Sequence, residues 1–231
     1  ITVATEHRSV LDTVRHLECL GFSVTILPVN REGYVDLNQL QEAITDQTIL
    51  VSLMAANNEI GTLHPLLEIG KITKEKGVLF HTDAAQACGK IPLDMQAMGI
   101  DLMSLTAHKI YGPKGIGALY VRQKPRVNLA LQMHGGGHES GLRSGTLNVP
   151  GIVGMGKALE IAGSVGEVEA TRIKALRDKL YEGISKKVGD IILNGPPLSQ
   201  RLYNNLNVSF VGVKADVLMM ELRDIALSSG S

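Results

Sequence analysis

Two residues dominate any chemical reading of this sequence. Asp83 closes an apolar stretch, within His81-Thr82-Asp83-Ala84-Ala85-Gln86. Lys109 closes another, within Leu105-Thr106-Ala107-His108-Lys109. A carboxylate at the mouth of a buried strand is costly unless it is paired, hydrogen-bonded or ligand-bound. Asp83 therefore either caps a following turn or faces a protonated ring nitrogen or a metal. Lys109 is either a surface lysine on a turn or a desolvated amine able to attack a carbonyl. Both follow strands, which puts them at one edge of a parallel sheet. Thr106 and His108 add a hydroxyl and an imidazole suited to a phosphate. A carboxylate for a pyridinium nitrogen, an amine for an aldehyde and donors for a phosphate suit pyridoxal phosphate (PLP). Spacing alone carries the reading no further than a candidate PLP site.

The elements that must position these residues alternate along the first half. Residues 1–5, 22–29, 48–55 and 78–82 are short, apolar and strand-like. Between them, residues 7–20 carry Val10, Leu11, Val14 and Leu17 at helical spacing, ending at Gly21. Asp36, with Gln39 three residues on, opens a second helix whose buried face is Leu37, Leu40 and Ile44. Pro65 fits the first position of a third helix, with Leu66, Ile69 and Ile72 inward and Gly77 as the stop. Strands separated by helices of this length predict parallel pairing through crossovers. Their nearly continuous apolar character predicts a sheet covered on both faces. The fold class expected is α/β, a mainly parallel, helix-flanked sheet. Ligands of such sheets bind at the carboxyl ends of the strands.

Farther on, residues 101–107 and 115–121 read as strands, and 134–146 as a long glycine-rich loop. A helix is predicted from Pro150 to about Lys187, broken near Gly163 and Gly166. Residues 206–210 read as a strand and 215–223 as a helix. No repeat or low-complexity segment is present.

Composition narrows the classes. The 231 residues carry 23 Lys+Arg against 23 Asp+Glu, so neither a nucleic-acid surface nor another polyanion surface is expected. No apolar run approaches the ~18 residues of a membrane span. Two cysteines, Cys19 and Cys88, form no disulfide framework and no metal spacing, and both read as small buried side chains. No metal site is expected.

The stretch HTDAAQACGKIPLD…IDLMSLTAHKIYGPKGIGALYVR closely resembles the class V aminotransferase superfamily of fold-type I PLP enzymes. Within it, the similarity is to cysteine desulfurases of the iron–sulfur assembly type. TEHRSVLDT at 5–13, NNEIG at 57–61, HGGGHESGLRSGT at 134–146 and the terminal ALSSGS agree, so the resemblance covers essentially the whole chain. It implies that Lys109 carries the cofactor's aldehyde and that Asp83 faces the pyridine nitrogen. Gln86 would bond the phenolic oxygen. His7 would stack on the ring and serve as an acid–base group. Thr106 and His108 would hold the phosphate. Asn58 would lie near the cofactor oxygen and the substrate carboxylate. Thr146 would reach the phosphate of a neighbouring subunit, which implies a homodimer. The substrate implied is L-cysteine, converted to L-alanine, with sulfur passed as a persulfide to an iron–sulfur scaffold or another acceptor protein.

The sequence departs from the family pattern in three places. Thr106-Ala107 stands where Ser-Gly is common, which keeps the hydroxyl. Ser140 stands where an arginine is common, so any contact of that guanidinium is lost. The sulfur-accepting loop cysteine would follow Ser231, and the first phosphate-binding turn would precede Ile1. The expectation is a chain cut at both ends and inactive alone. Residues 1–162 would be the PLP-binding large domain and 163–231 the start of a small domain. A cytoplasmic location is expected, with organellar targeting left open. Two other readings share the cofactor residues: another class V enzyme (a selenocysteine lyase or an aminotransferase), or a non-catalytic PLP-binding or dimerising fragment.

Overall fold

The computed structural model describes residues 1–229. The last two positions of the terminal Ser-Ser-Gly-Ser motif lie outside the described residues. In chain order the elements are β1 (Thr2–Val3), α1 (Arg8–Cys19), β2 (Ile26–Leu27), α2 (Leu37–Ala43), β3 (Leu50–Ser52), α3 (Leu66–Glu75), β4 (Leu79–Asp83), β5 (Leu102–Thr106), β6 (Gly117–Val121), α4 (Val149–Lys187), β7 (Ile191–Leu193), β8 (Val208–Phe210) and α5 (Ala215–Glu221). They fall into two units. One comprises Ile1–Thr45, Met54–Pro65 and the chain from Glu167 onward; the other comprises Asp46–Leu53 and Leu66–Gly166.

The second unit is built on a sheet of order β3-β4-β5-β6. β3, β4 and β5 are parallel, and β6 returns antiparallel to β5. Val51, Leu53, Phe80, Ile100, Ala84, Ala87 and Ala107 are buried in its core. α3 turns Leu66, Ile69, Gly70 and Thr73 inward, the spacing of one helical face. Gly70 has a steric reason. A Cβ there would come 1.8 Å from the Met98 carbonyl oxygen, so only glycine admits this approach. Asp101 pins the start of β5. Its Oδ2 accepts the Phe80 amide at 2.8 Å, and its Oδ1 lies 2.5 Å from Arg122 Nε.

In the first unit, β1 and β2 form a parallel pair and β7 and β8 an antiparallel one. His7 precedes α1 and caps it. Val10, Leu11, Val14 and Leu17 are half-buried, while the other residues of α1 are exposed. Asp36 Oδ1 accepts from the amides of Asn38 and Gln39, as the capping pattern predicts. Asn57 organises a turn: its Oδ1 accepts from the amides of Glu59 and Ile60, and its Nδ2 donates to Thr5 O at 3.0 Å. Asn205 and Asn207 both donate side-chain bonds to Glu59 O, and the Thr62–Arg201 bridge joins the same two stretches.

Several expectations change. The helix predicted to break near Gly163 and Gly166 is continuous through both as α4, 39 residues long. Two glycines cost only about 1 kcal/mol each against alanine, too little to end a helix with no proline at those positions. The strand expected over 22–29 is reduced to Ile26–Leu27, and β7 was not anticipated. Cys19 is exposed and only Cys88 is buried. Cys19 ends α1 off the stripe of Val10, Leu11, Val14 and Leu17, so the helix turns it outward. Among the described residues no helix is long and apolar enough to cross a membrane.

Candidate active site

The parallel pairing of β4 with β5 sets the geometry. Asp83 is the last residue of β4 and Thr106 the last of β5, so both side chains leave the sheet at its carboxyl edge. A short 3-10 turn, Ala107–Ile110, follows β5 directly and carries His108 and Lys109. Ala107 and Ile110 are buried and anchor the turn, which leaves His108 and Lys109 exposed between them. Tyr111 ends the turn in the left-handed region, at φ 63°.

Thr106 Oγ1 and His108 Nδ1 are 2.8 Å apart. Asp83 is half-buried, and its Oδ1 accepts the Ala85 amide at 2.8 Å. That bond is the turn-capping role; it leaves Oδ2 with no hydrogen-bond partner among the described residues. Lys109 likewise has no hydrogen bond or ion pair there. Gln86 is held through its backbone, since its carbonyl accepts from Lys90 Nζ at 2.9 Å.

Asp83, Gln86, Thr106, His108 and Lys109 thus belong to one sheet edge. Thr146 lies in the same unit, exposed in the glycine-rich loop. Ser140 of that loop has a left-handed backbone, φ 54°. His7 and Asn58 belong to the other unit. There His7 Nδ1 accepts the Ser9 amide at 3.2 Å and bonds Ser9 Oγ at 2.8 Å, which leaves Nε2 as the ring's remaining nitrogen. Asn58 donates to Glu59 Oε1 at 2.7 Å.

Two groups escaped the sequence reading. Lys90 is one: burial, then the charge of Lys109, hold its ammonium below the usual lysine range, opposed by Cys88. Its place four residues after Gln86 was the available signal. His81 is the other. Its Nδ1 lies 2.7 Å from Ser52 Oγ and its Nε2 2.9 Å from Ser104 Oγ. A histidine and two serines in otherwise apolar strands were visible, but their alignment across three strands was not.

These residues fit PLP. An acidic oxygen without a partner, an amine without a partner and a hydroxyl–imidazole pair match the ring nitrogen, the aldehyde and the phosphate. Among the described residues no group of three or more His, Cys, Asp or Glu is placed to hold a metal ion.

Comparison with known proteins identifies the family. The class-V aminotransferase profile matches residues 1–231. A cysteine desulfurase IscS from Anaeromyxobacter sp. (strain K) is 54% identical over the whole chain, which spans 57% of that protein. Another, from Rickettsia rickettsii (strain Iowa), is 53% identical, and the chain spans 56% of it. The chain is therefore little more than half the length of these relatives. A solved NifS-like protein superimposes with TM-score 0.91 at 41% identity, over 96% of this chain and 60% of that one. DndA from Streptomyces lividans gives TM-score 0.86 at 35% identity, over 96% and 63%. The architecture is that of the fold-type I PLP enzymes, and the chain belongs to the class-V aminotransferase family, whose members depend on PLP.

Proposed function

We propose that this chain forms the cofactor-holding part of a PLP-dependent cysteine desulfurase. The supporting observation is the delivery of Asp83 and Lys109 to one sheet edge by adjacent parallel strands, with Thr106 and His108 beside Lys109. The 54% identity to a cysteine desulfurase favours L-cysteine as substrate over the substrates of other class V enzymes.

Bound PLP supplies an aldehyde that captures amino groups and a cationic ring that withdraws electrons from the substrate Cα. Asp83 keeps a proton on the ring nitrogen through its Oδ2. Lys109 would hold the cofactor and supply the amine that moves the proton at the substrate Cα. Gln86 donates its amide to the phenolic oxygen, and the Lys90 bond to its carbonyl fixes the turn that presents it. Thr106 and His108 hold the phosphate, and Thr146 reaches the phosphate of a second copy in a homodimer. By resemblance to the family, His7 would stack its imidazole face on the ring and offer Nε2 as a second acid–base group. Asn58 lies beside the substrate carboxylate. The net reaction takes L-cysteine and an acceptor thiol to L-alanine and a persulfide. An iron–sulfur scaffold or a comparable acceptor protein receives the sulfur. Cys88, buried and with its thiol pushed up by burial, is poorly suited to be the acceptor thiol. By family resemblance residues 1–162 would act as the large domain and 163–231 as the start of the small one, a division that differs from the two compact units of the fold. Two free cysteines, one of them exposed, suit a reducing compartment such as the cytoplasm.

The test is borohydride reduction of the PLP-loaded chain followed by peptide mapping. The expected adduct is on Lys109 and vanishes in Lys109→Ala. An adduct on Lys90 or Lys114, or none, overturns the cofactor assignment. Assay of the whole protein for alanine from L-cysteine tests the substrate. Equal rates before and after Lys109→Ala would refute the mechanism.

A further inference from the structure

Four polar side chains share one face of the central sheet. His81 and Asp83 are two residues apart on β4 and so point to the same side. Ser52 of β3 is the register partner of His81, and Ser104 of β5 is the register partner of Asp83. Ser52 is buried and the other three are half-buried. Polar groups persist at such positions only when they are satisfied. Here the satisfaction centres on the imidazole, which has one serine hydroxyl on each nitrogen, at 2.7 and 2.9 Å.

A neutral imidazole offers one donor and one acceptor, and each hydroxyl can take either role. The two contacts therefore fix the ring without requiring a second proton on it. Burial holds the imidazole below its ordinary range and outweighs the pull of Asp83. A second proton would place a cation beside Asp83 and offset its charge. An apolar side chain in the same place would take one polar neighbour from the carboxylate, which keeps the Ala85 amide and Ser104 beside it, and would raise the cost of its ionisation.

We propose that His81, clamped between Ser52 and Ser104, is a positioning residue for Asp83, an uncharged polar neighbour that leaves the carboxylate's charge to the cofactor's ring nitrogen. This rests on Asp83 being the partner of that nitrogen. If the serine–histidine–serine row only stitched three strands together, its loss would lower stability and leave the ring nitrogen's protonation unchanged.

The experiment is nitrogen NMR of the chain loaded with PLP labelled at the pyridine nitrogen, whose shift reports protonation there. In His81→Leu the expected signal moves toward the neutral form, the protonated-to-neutral ratio falling about tenfold for each unit lost in the ring's proton affinity. His81→Asn, which keeps a donor and an acceptor, should restore most of it. Ser52→Ala and Ser104→Ala carry the test should the larger change unfold the chain, and each should move the signal the same way. Asp83→Asn must move it furthest. A signal that moves in Asp83→Asn but stays fixed in the His81 and serine variants overturns the role of His81 and leaves that of Asp83 standing. A signal unmoved in Asp83→Asn, or no PLP uptake at all, overturns both.

Discussion

His64 makes the stability of this chain depend on pH in a calculable way. It lies just before α3, is 5% exposed and meets the Tyr34 ring edge-on at 6.4 Å. Neither ring nitrogen has a hydrogen-bond partner among the described residues. Burial lowers its pKa from 6.5 to about 4. Between those values the unfolded chain binds a proton that the folded chain refuses. The contribution of neutral His64 is therefore intact above pH 6.5, declines as the pH falls, and is gone below about pH 4. Fully expressed, the difference is about 3.4 kcal/mol; at pH 5 it is about 2 kcal/mol. His64→Leu removes the titrating group at similar volume. Urea unfolding of both proteins at pH 7.5 and pH 5.0 gives four stabilities. Between the two pH values the parent should lose about 2 kcal/mol more than His64→Leu. The half-buried His81 shifts in the same direction but is present in both proteins, so it cancels. Equal losses in the two proteins would refute the claim that buried, neutral His64 is the source.

Two glycines should respond oppositely to alanine. Gly70→Ala drives a Cβ into the Met98 carbonyl and should cost about 3 kcal/mol or more by urea unfolding. Gly163→Ala, inside α4 with nothing within 4 Å of the added Cβ, should stabilise by about 0.5–1 kcal/mol. Asp36→Ala removes the cap that holds the Asn38 and Gln39 amides and should lower stability by about 1 kcal/mol, readable in the same assay. A thiol-specific disulfide reagent should modify Cys19 at least about tenfold faster than Cys88, because Cys88 is buried and burial raises its thiol's pKa. Comparable rates would contradict that environment.

Local signals suffice wherever the chain's neighbours in sequence decide the structure. The Asp36 cap, the start of α3 after Pro65, and the half-buried stripe of α1 all follow from residues within a turn of one another. Departures from the expected elements have both local and tertiary causes. α4 runs through Gly163 and Gly166 because the local penalty of two glycines is too small to end it. The length of β2 depends on where β1 can pair with it, and only two residues do. Cys19 is exposed because its position off the buried stripe of α1 outweighs the tendency of its residue type to be buried.

The candidate site divides in the same manner. The sequence determined which groups are available: an acid after one strand, a lysine after another, and a hydroxyl and an imidazole beside it. It also determined the family, since those groups stand in a long specific pattern. Tertiary structure decided their alignment. The register of β4 on β5 sets Asp83 opposite Ser104, and that of β3 on β4 sets Ser52 opposite His81. A shift of one residue in either pairing would break up the polar row while leaving every local preference satisfied. Register is a property of pairs of strands far apart in the chain. No spacing within one strand encodes it, which is why Asp83 and Lys109 were legible and the role of His81 was not.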